Sequence, residues 1–181
     1  MKLRSVSCFL PLVLAALIGF SITACDNGST DSGAVPSNYY SYDDTITTDF
    51  VWAGFYFEDG YGYQLAISPT VPANTTAIRN ELNILEVEIP LELMGQWINP
   101  LGYNNIYVWW PCGFLKVEGT QHAWYPDSAS LSGSSNMIRV TKNSANNFTI
   151  ELNMTLDGKL FQCYYTGYFT EYFDWMTIGY G

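Results

Sequence analysis

Alternation of apolar and polar positions dominates this chain and is clearest toward its C-terminal end. Asn136 to Thr141, Phe148 to Leu156 and Lys159 to Thr166 each repeat with period two, the pattern of strands with one buried and one wet face. Between the last two, Asp157-Gly158 is a two-residue hairpin sequence, because both positions tolerate positive φ. A loop there sets Leu156 opposite Lys159, and so Met154 opposite Phe161, Leu152 opposite Cys163 and Ile150 opposite Tyr165, an almost wholly apolar face. The reverse face pairs Thr155 with Leu160, Asn153 with Gln162, Glu151 with Tyr164 and Thr149 with Thr166, which suits water.

Earlier segments repeat the theme. Phe50 to Phe57 and Tyr61 to Ser68 read as two aromatic strands joined through Glu58-Asp59-Gly60. In the second, Tyr61, Tyr63, Leu65 and Ile67 share one face, and Gln64, Ala66 and Ser68 the other. Leu85, Val87 and Ile89 alternate with Glu86 and Glu88 and stop at Pro90, which sends both glutamates toward solvent. Ile106 to Trp110 and Phe114 to Glu118 form two further strands around Pro111-Cys112-Gly113, while Leu91 to Trp97 reads as a short helix or turn. Pro69 to Asn80 and Gly119 to Gly133 read as loops. About eight short strands without βαβ alternation predict an antiparallel all-β fold. A β-sandwich is the preferred closure, and an up-and-down, lipocalin-like barrel is the alternative, since successive hairpins suit either.

The first 44 residues are different in kind. Lys2 and Arg4 precede an apolar run from Cys8 to Phe20 that ends on small residues, the anatomy of a secretory signal over residues 1–24. That run is shorter than the roughly 20 residues a bilayer core requires, and Pro11 and Gly19 interrupt it, so a spanning anchor is the weaker reading. Residues 25–44 are rich in Ser, Gly, Asn and Asp without a hydrophobic period, and read as a flexible tether. A single antiparallel β domain then occupies residues 45–181.

At the junction, Ile22-Thr23-Ala24-Cys25 is followed by Asp26-Asn27-Gly28-Ser29. The tetrapeptide resembles the lipobox of bacterial lipoproteins, which implies cleavage between Ala24 and Cys25 and lipidation of the Cys25 thiol. Together with the aromatic hairpin around Tyr61-Gly62-Tyr63 and the segment from Ser132-Gly133 to Tyr165-Thr166-Gly167, the chain resembles uncharacterised surface lipoproteins of gut Bacteroidota. The resemblance implies a lipid-anchored place in the cell envelope, with the outer membrane favoured, on its periplasmic or surface face.

Charge narrows the partners. Seven Lys and Arg stand against 17 Asp and Glu, a formal charge of −10, and loss of Lys2 and Arg4 with the signal makes the balance more acidic. Nucleic acid is excluded, because phosphate neutralisation needs clustered Lys and Arg, and so is docking on anionic lipid by charge. The bilayer is therefore reached through the acylated Cys25. Of four cysteines, Cys112 and Cys163 fall in the folded part, where an exported chain allows one disulfide between them, with two buried thiols as the alternative.

Catalytic chemistry has little to build on. His122 is the one histidine, so a Ser-His-Asp arrangement would recruit it with residues such as Asp127 and Ser128, and no nucleophile motif surrounds any serine. The carboxylate pairs Glu58 with Asp59 and Glu86 with Glu88 are already explained by a turn and by strand alternation, whereas a glycosidase needs two acids flanking one bond. No spacing suits a metal, and no cofactor is implied. The binding signal is aromatic excess, 17% of residues. Adjacent Trp109 and Trp110 must point to opposite faces of a strand, and Trp124, beside His122 and Tyr125 in an expected loop, is the leading ligand contact. The reading is a membrane-anchored, noncatalytic binding or structural module with a carbohydrate or an envelope protein as partner. The alternatives are an accessory glycan-processing enzyme, or a small-molecule carrier or inhibitor if the fold is an open barrel.

Overall fold

Inward-facing apolar positions from successive hairpins give two facing sheets. The computed structural model describes residues 37–73, 75–102, 111–125 and 129–172, all within one compact unit, Val35–Gly181. In chain order the strands are β1 (Tyr39–Tyr42), β2 (Thr45–Thr47), β3 (Trp52–Glu58), β4 (Gly62–Ser68), β5 (Ile84–Pro90) and β6 (Cys112–Val117). They continue as β7 (Thr120–Trp124), β8 (Leu131–Lys142), β9 (Asn147–Leu156), β10 (Lys159–Tyr168) and β11 (Thr170–Glu171). One sheet has the order β2-β1-β10-β9-β8 and the other β11-β3-β4-β5-β6-β7. All pairings are antiparallel except the short β11 beside β3. Neither sheet closes on itself, so the fold is an all-β sandwich and not a barrel.

The C-terminal hairpin has the register that its alternation predicts. Leu156 pairs with Lys159, Met154 with Phe161, Leu152 with Cys163 and Ile150 with Tyr165. Asp157 and Gly158 both take positive φ, 51° and 76°, the two-residue turn whose twist matches that of the flanking strands. Burial alternates along the whole of β9, from Phe148 to Leu156 on the inner face. These side chains meet Phe55, Tyr63, Leu65 and Val87 of the opposite sheet in the main core. Phe148 shows the contact, with Phe55 and Tyr63 at centroid distances of 5.5 and 5.1 Å.

Four strands lie where none was expected. β1 and β2 fold back through Asp43-Asp44, whose φ angles of 50° and 63° repeat the same turn with two aspartates. The tether assigned to residues 25–44 is therefore too long, because Tyr39–Tyr42 pairs with β10 and buries Tyr40 and Tyr42. Four residues are too few for alternation to stand out from a polar stretch. The expected loop Gly119–Gly133 likewise contains β7 and the start of β8. β7 pairs with β6 through Glu118-Gly119, again at positive φ, so Glu118 belongs to a turn and not to a strand. The fourth, β11, is a two-residue strand. The expected strand Ile106–Trp110 lies outside the described residues.

A second, smaller apolar layer covers the outer face of β4 and β5. Ala66, Ile84, Tyr172 and Ile78 of the 3-10 turn Thr75–Asn80 form it, with Trp52, Tyr56 and Phe114 packed against them. This overturns the solvent-facing assignment of Glu86 and Glu88, which are only 3% and 9% exposed. Alternation sets which face a side chain points to, but not whether another layer covers that face.

Two glycines separate backbone strain from crowding. A Cβ at Gly158 would meet nothing, so Gly158→Ala is expected to cost about 1 kcal/mol through its positive φ alone. A Cβ at Gly113 would overlap the Glu86 carbonyl oxygen and the Trp124 ring, so Gly113→Ala is expected to cost about 3 kcal/mol. Urea unfolding midpoints should place the two variants in that order.

Candidate functional site

The residues singled out in the sequence divide three ways. Ala24, Cys25, Trp109, Trp110, Asp127 and Ser128 lie outside the described residues. Trp124 is corrected from exposed ligand contact to core, at 0% exposure. Strand β7 turns it inward opposite Gly113, whose missing side chain makes room for the indole, and it packs against Phe161 at 5.9 Å. Of the two readings left open for Cys112 and Cys163, a disulfide or two thiols, the structure has two free thiols. Cys163 points into the main core between Tyr40 and Leu152, while Cys112 stands on the outer face of the other sheet opposite Glu88. Burial pushes both thiols up from their ordinary range, and at Cys112 the neighbouring Glu88 charge adds to it.

His122 belongs to a clasp across the sandwich. Its Nδ1 donates to Asp157 Oδ2 at 2.6 Å, and its ring lies tilted against Tyr42 with centroids 4.6 Å apart. The Tyr42 hydroxyl lies 3.3 Å from the same nitrogen and donates to the Leu156 carbonyl. The imidazole thus joins β7 in one sheet to the β9–β10 turn in the other. Among the described residues its carboxylate partner is Asp157, which only the folded chain brings to it. Lys142 makes a second tie between the sheets, donating to the Tyr63 hydroxyl from above that ring.

Glu86 and Glu88 lie in a covered polar row on the outer face of the second sheet, where Tyr56, Gln64, Glu88 and Cys112 oppose one another across β3 to β6. Tyr172 stands beside it. Its phenol is pushed well above the ordinary range by burial first and then by the charges of Glu86 and Glu88. The two acids are neighbours on one face of one strand, which does not place them on either side of a scissile bond as glycoside hydrolysis requires. Among the described residues no three His, Cys, Asp or Glu side chains converge as a metal site.

The outer face of the first sheet is where exposed rings and polar groups line up. Cross-strand register sets Arg139, Glu151, Tyr164 and Tyr39 in one row across β8, β9, β10 and β1. Ile98 bridges to Ile138 along the free edge of β8, and Gly95 N–H donates to the Val140 carbonyl, so the chain there acts as a further edge strand. This places Trp97 over Arg139, 4.5 Å from guanidinium carbon to ring centroid. Arg139 grips Glu151 with two nitrogens, Nη2 donating to Oε1 at 2.7 Å and Nε to Oε2. The hydrogen bond to Glu151 holds the guanidinium above its already high range. Trp97 is 46% and Tyr164 38% exposed. Strand spacing of about 4.8 Å makes this five-position row roughly 19 Å long. Asn153 and Gln162 oppose each other on one side of it, and Thr149 and Thr166 on the other, the two threonine hydroxyls 3.0 Å apart.

Sequence reasoning placed Glu151 opposite Tyr164 but did not single out the row. The aromatic excess includes Trp97 and Tyr164, but Trp97 stands in a segment without alternation and Arg139 is one position in a strand, so nothing local joins them into a row. Neither a family model, a curated protein nor a solved structure matches this chain.

The raised acid groups give a pH dependence with a definite sign. Cys112, Cys163 and Tyr172 keep their protons in the folded state and release them more readily when unfolded. Their contribution to stability is therefore whole below the ordinary thiol value of 9.0 and is lost as pH rises above it. In a chain with Cys8 and Cys25 replaced by serine, a disulfide-exchange reagent at pH 8 is expected to leave both native thiols unmodified and to titrate two after denaturation. Urea unfolding from pH 8 to pH 11 should show a falling free energy.

Proposed function

We propose that this chain is a noncatalytic binding module of the bacterial cell envelope, anchored by lipid on Cys25 and binding carbohydrate on the outer face of its first sheet. The row Trp97-Arg139-Glu151-Tyr164-Tyr39 carries the reading. Flat rings at both ends give apolar faces on which sugar rings stack, and the central ion pair and flanking amides and hydroxyls offer fixed partners for sugar hydroxyls. None of these groups needs to move a proton or form a covalent bond to do this, so the reading asks of the row binding alone.

The anchor reading rests on the lipobox-like Ile22-Thr23-Ala24-Cys25 and on an acidic chain that has no charge with which to hold anionic lipid. Acyl chains bury at about 0.8 kcal/mol per CH₂, so two or three make a stable attachment. In cells producing the full chain, Cys25→Ala is expected to abolish lipid labelling and to release the protein from carbonate-washed membranes. Retention of both lipid label and membrane fraction would sink the anchor.

Binding is tested separately, by affinity electrophoresis of the detergent-solubilised full chain through gels containing polysaccharides. Trp97→Ala and Tyr164→Ala are expected to weaken retardation at least tenfold, the equivalent of about 1.4 kcal/mol, with the unfolding midpoint little changed because both side chains are exposed. Turnover of a polysaccharide by the purified protein, or absence of any retardation, would reject the module as proposed.

A further inference from the structure

The charges on the outer face of the first sheet are already spoken for. Arg139 is doubly bonded to Glu151 and capped by the Trp97 ring. Arginine has five N–H groups, of which Glu151 engages two, so the guanidinium can still donate outward to neutral oxygen. A carboxylate or sulfate ester placed on the row would lie against Glu151, or would have to displace it from Arg139, on a chain of formal charge −10. Hydroxyl groups meet no such obstacle. Trp97, Tyr164 and Tyr39 present ring faces, the central charges are matched to each other, and the pairs Asn153–Gln162 and Thr149–Thr166 beside the row present neutral donors and acceptors.

A protein partner fits this face less well. Stable protein interfaces centre on an apolar patch from which charged side chains are depleted, with polar groups at the rim. Here the order is reversed, with an ion pair in the middle and aromatic rings at the two ends. The spacing also matters. Neighbouring side chains in the row are separated by one strand spacing, about 4.8 Å, so an extended chain of sugar rings running across the strands meets one side chain per ring over roughly four rings.

From this we infer that the ligand is an uncharged glycan in extended form, lying across β8, β9, β10 and β1 along the row, with Trp97 stacking at one end and Tyr164 and Tyr39 at the other. The inference rests on the carbohydrate-binding reading and adds the charge class and the direction of the chain. Arg139 acts twice, as a donor to ligand hydroxyls and as the positioning residue that holds the Trp97 ring flat.

The test uses pairs of polysaccharides that share a backbone and differ in charge, namely β-glucan, xylan and mannan with the carboxymethylated form of each. The full chain in nonionic detergent is run through gels containing each at low and at high salt. At least one neutral member is expected to retard the protein, and its carboxymethylated partner to bind at least tenfold more weakly at low salt, with the gap narrowing as salt screens the repulsion. Arg139→Ala and Trp97→Ala should each weaken the neutral interaction at least tenfold, while Arg139→Lys, which keeps the charge but not the planar fork, should restore less than half of the lost retardation. Equal or tighter binding of a carboxymethylated form that is still lost in Trp97→Ala overturns the charge class alone and leaves the binding face standing. Neutral binding that survives both Trp97→Ala and Tyr164→Ala overturns the placement on this face. If no polysaccharide of either kind retards the protein, the carbohydrate reading itself falls.

Discussion

Everything in this molecule depends on apolar faces of the β8–β9–β10 meander meeting those of β3, β4 and β5. Burial of such surface, at roughly 25 cal/mol per Å², is the main favourable term available to a fold without disulfides or α-helices among its described residues. The Asp157-Gly158 turn is what aligns one half of that contact. With β10 held in place, a slip of one residue in the β9–β10 pairing would turn Ile150, Leu152 and Met154 outward together and bring Glu151 and Asn153 into the core. The core therefore specifies the register as strongly as the turn does.

The same constraint writes the outer face. Once Ile138, Val140, Ile150 and Leu152 are inward, Arg139, Glu151 and their row-mates have to be outward, and antiparallel register brings them side by side across the strands. The bidentate pairing of Arg139 with Glu151 then fixes the guanidinium plane on which Trp97 lies. An outer row of this kind needs no loop of its own; it is the polar half of the alternation that builds the core, extended by one edge segment.

The two sheets are also tied at polar points. His122 reaches Asp157 from one sheet to the other, and Lys142 reaches Tyr63. Each polar tie lies against aromatic rings, Tyr42 for His122 and Tyr63 with Phe148 for Lys142, and the partly buried Lys142 contact is the better shielded of the two, since Asp157 stays exposed to water. On the far side, the small layer formed by Ile78, Ile84 and Tyr172 encloses Gln64, Glu86 and Glu88, so the second sheet is covered on both faces over β4 and β5 while the first presents a face to water.

How much of this was legible follows from the range of each force. Period-two alternation and turn chemistry are local, so the sequence by itself determined the all-β class, the hairpins of β3–β4 and β9–β10, the pairing of every residue from Leu156 to Thr149 with its partner in β10, and the inward direction of Cys163. Coverage is not local. Whether Glu86 and Glu88 are wet depends on Ile78 and Tyr172, which are distant in sequence, and whether Trp124 is exposed depends on a glycine in the neighbouring strand. The partner of His122, the separation of Cys112 from Cys163, and the alignment of Trp97 over Arg139 are likewise contacts between segments that only a finished sandwich brings within reach. Sequence pattern determined which way each side chain of a strand points; tertiary structure alone decided what it meets there, because burial and pairing are set by the element that arrives from elsewhere in the chain.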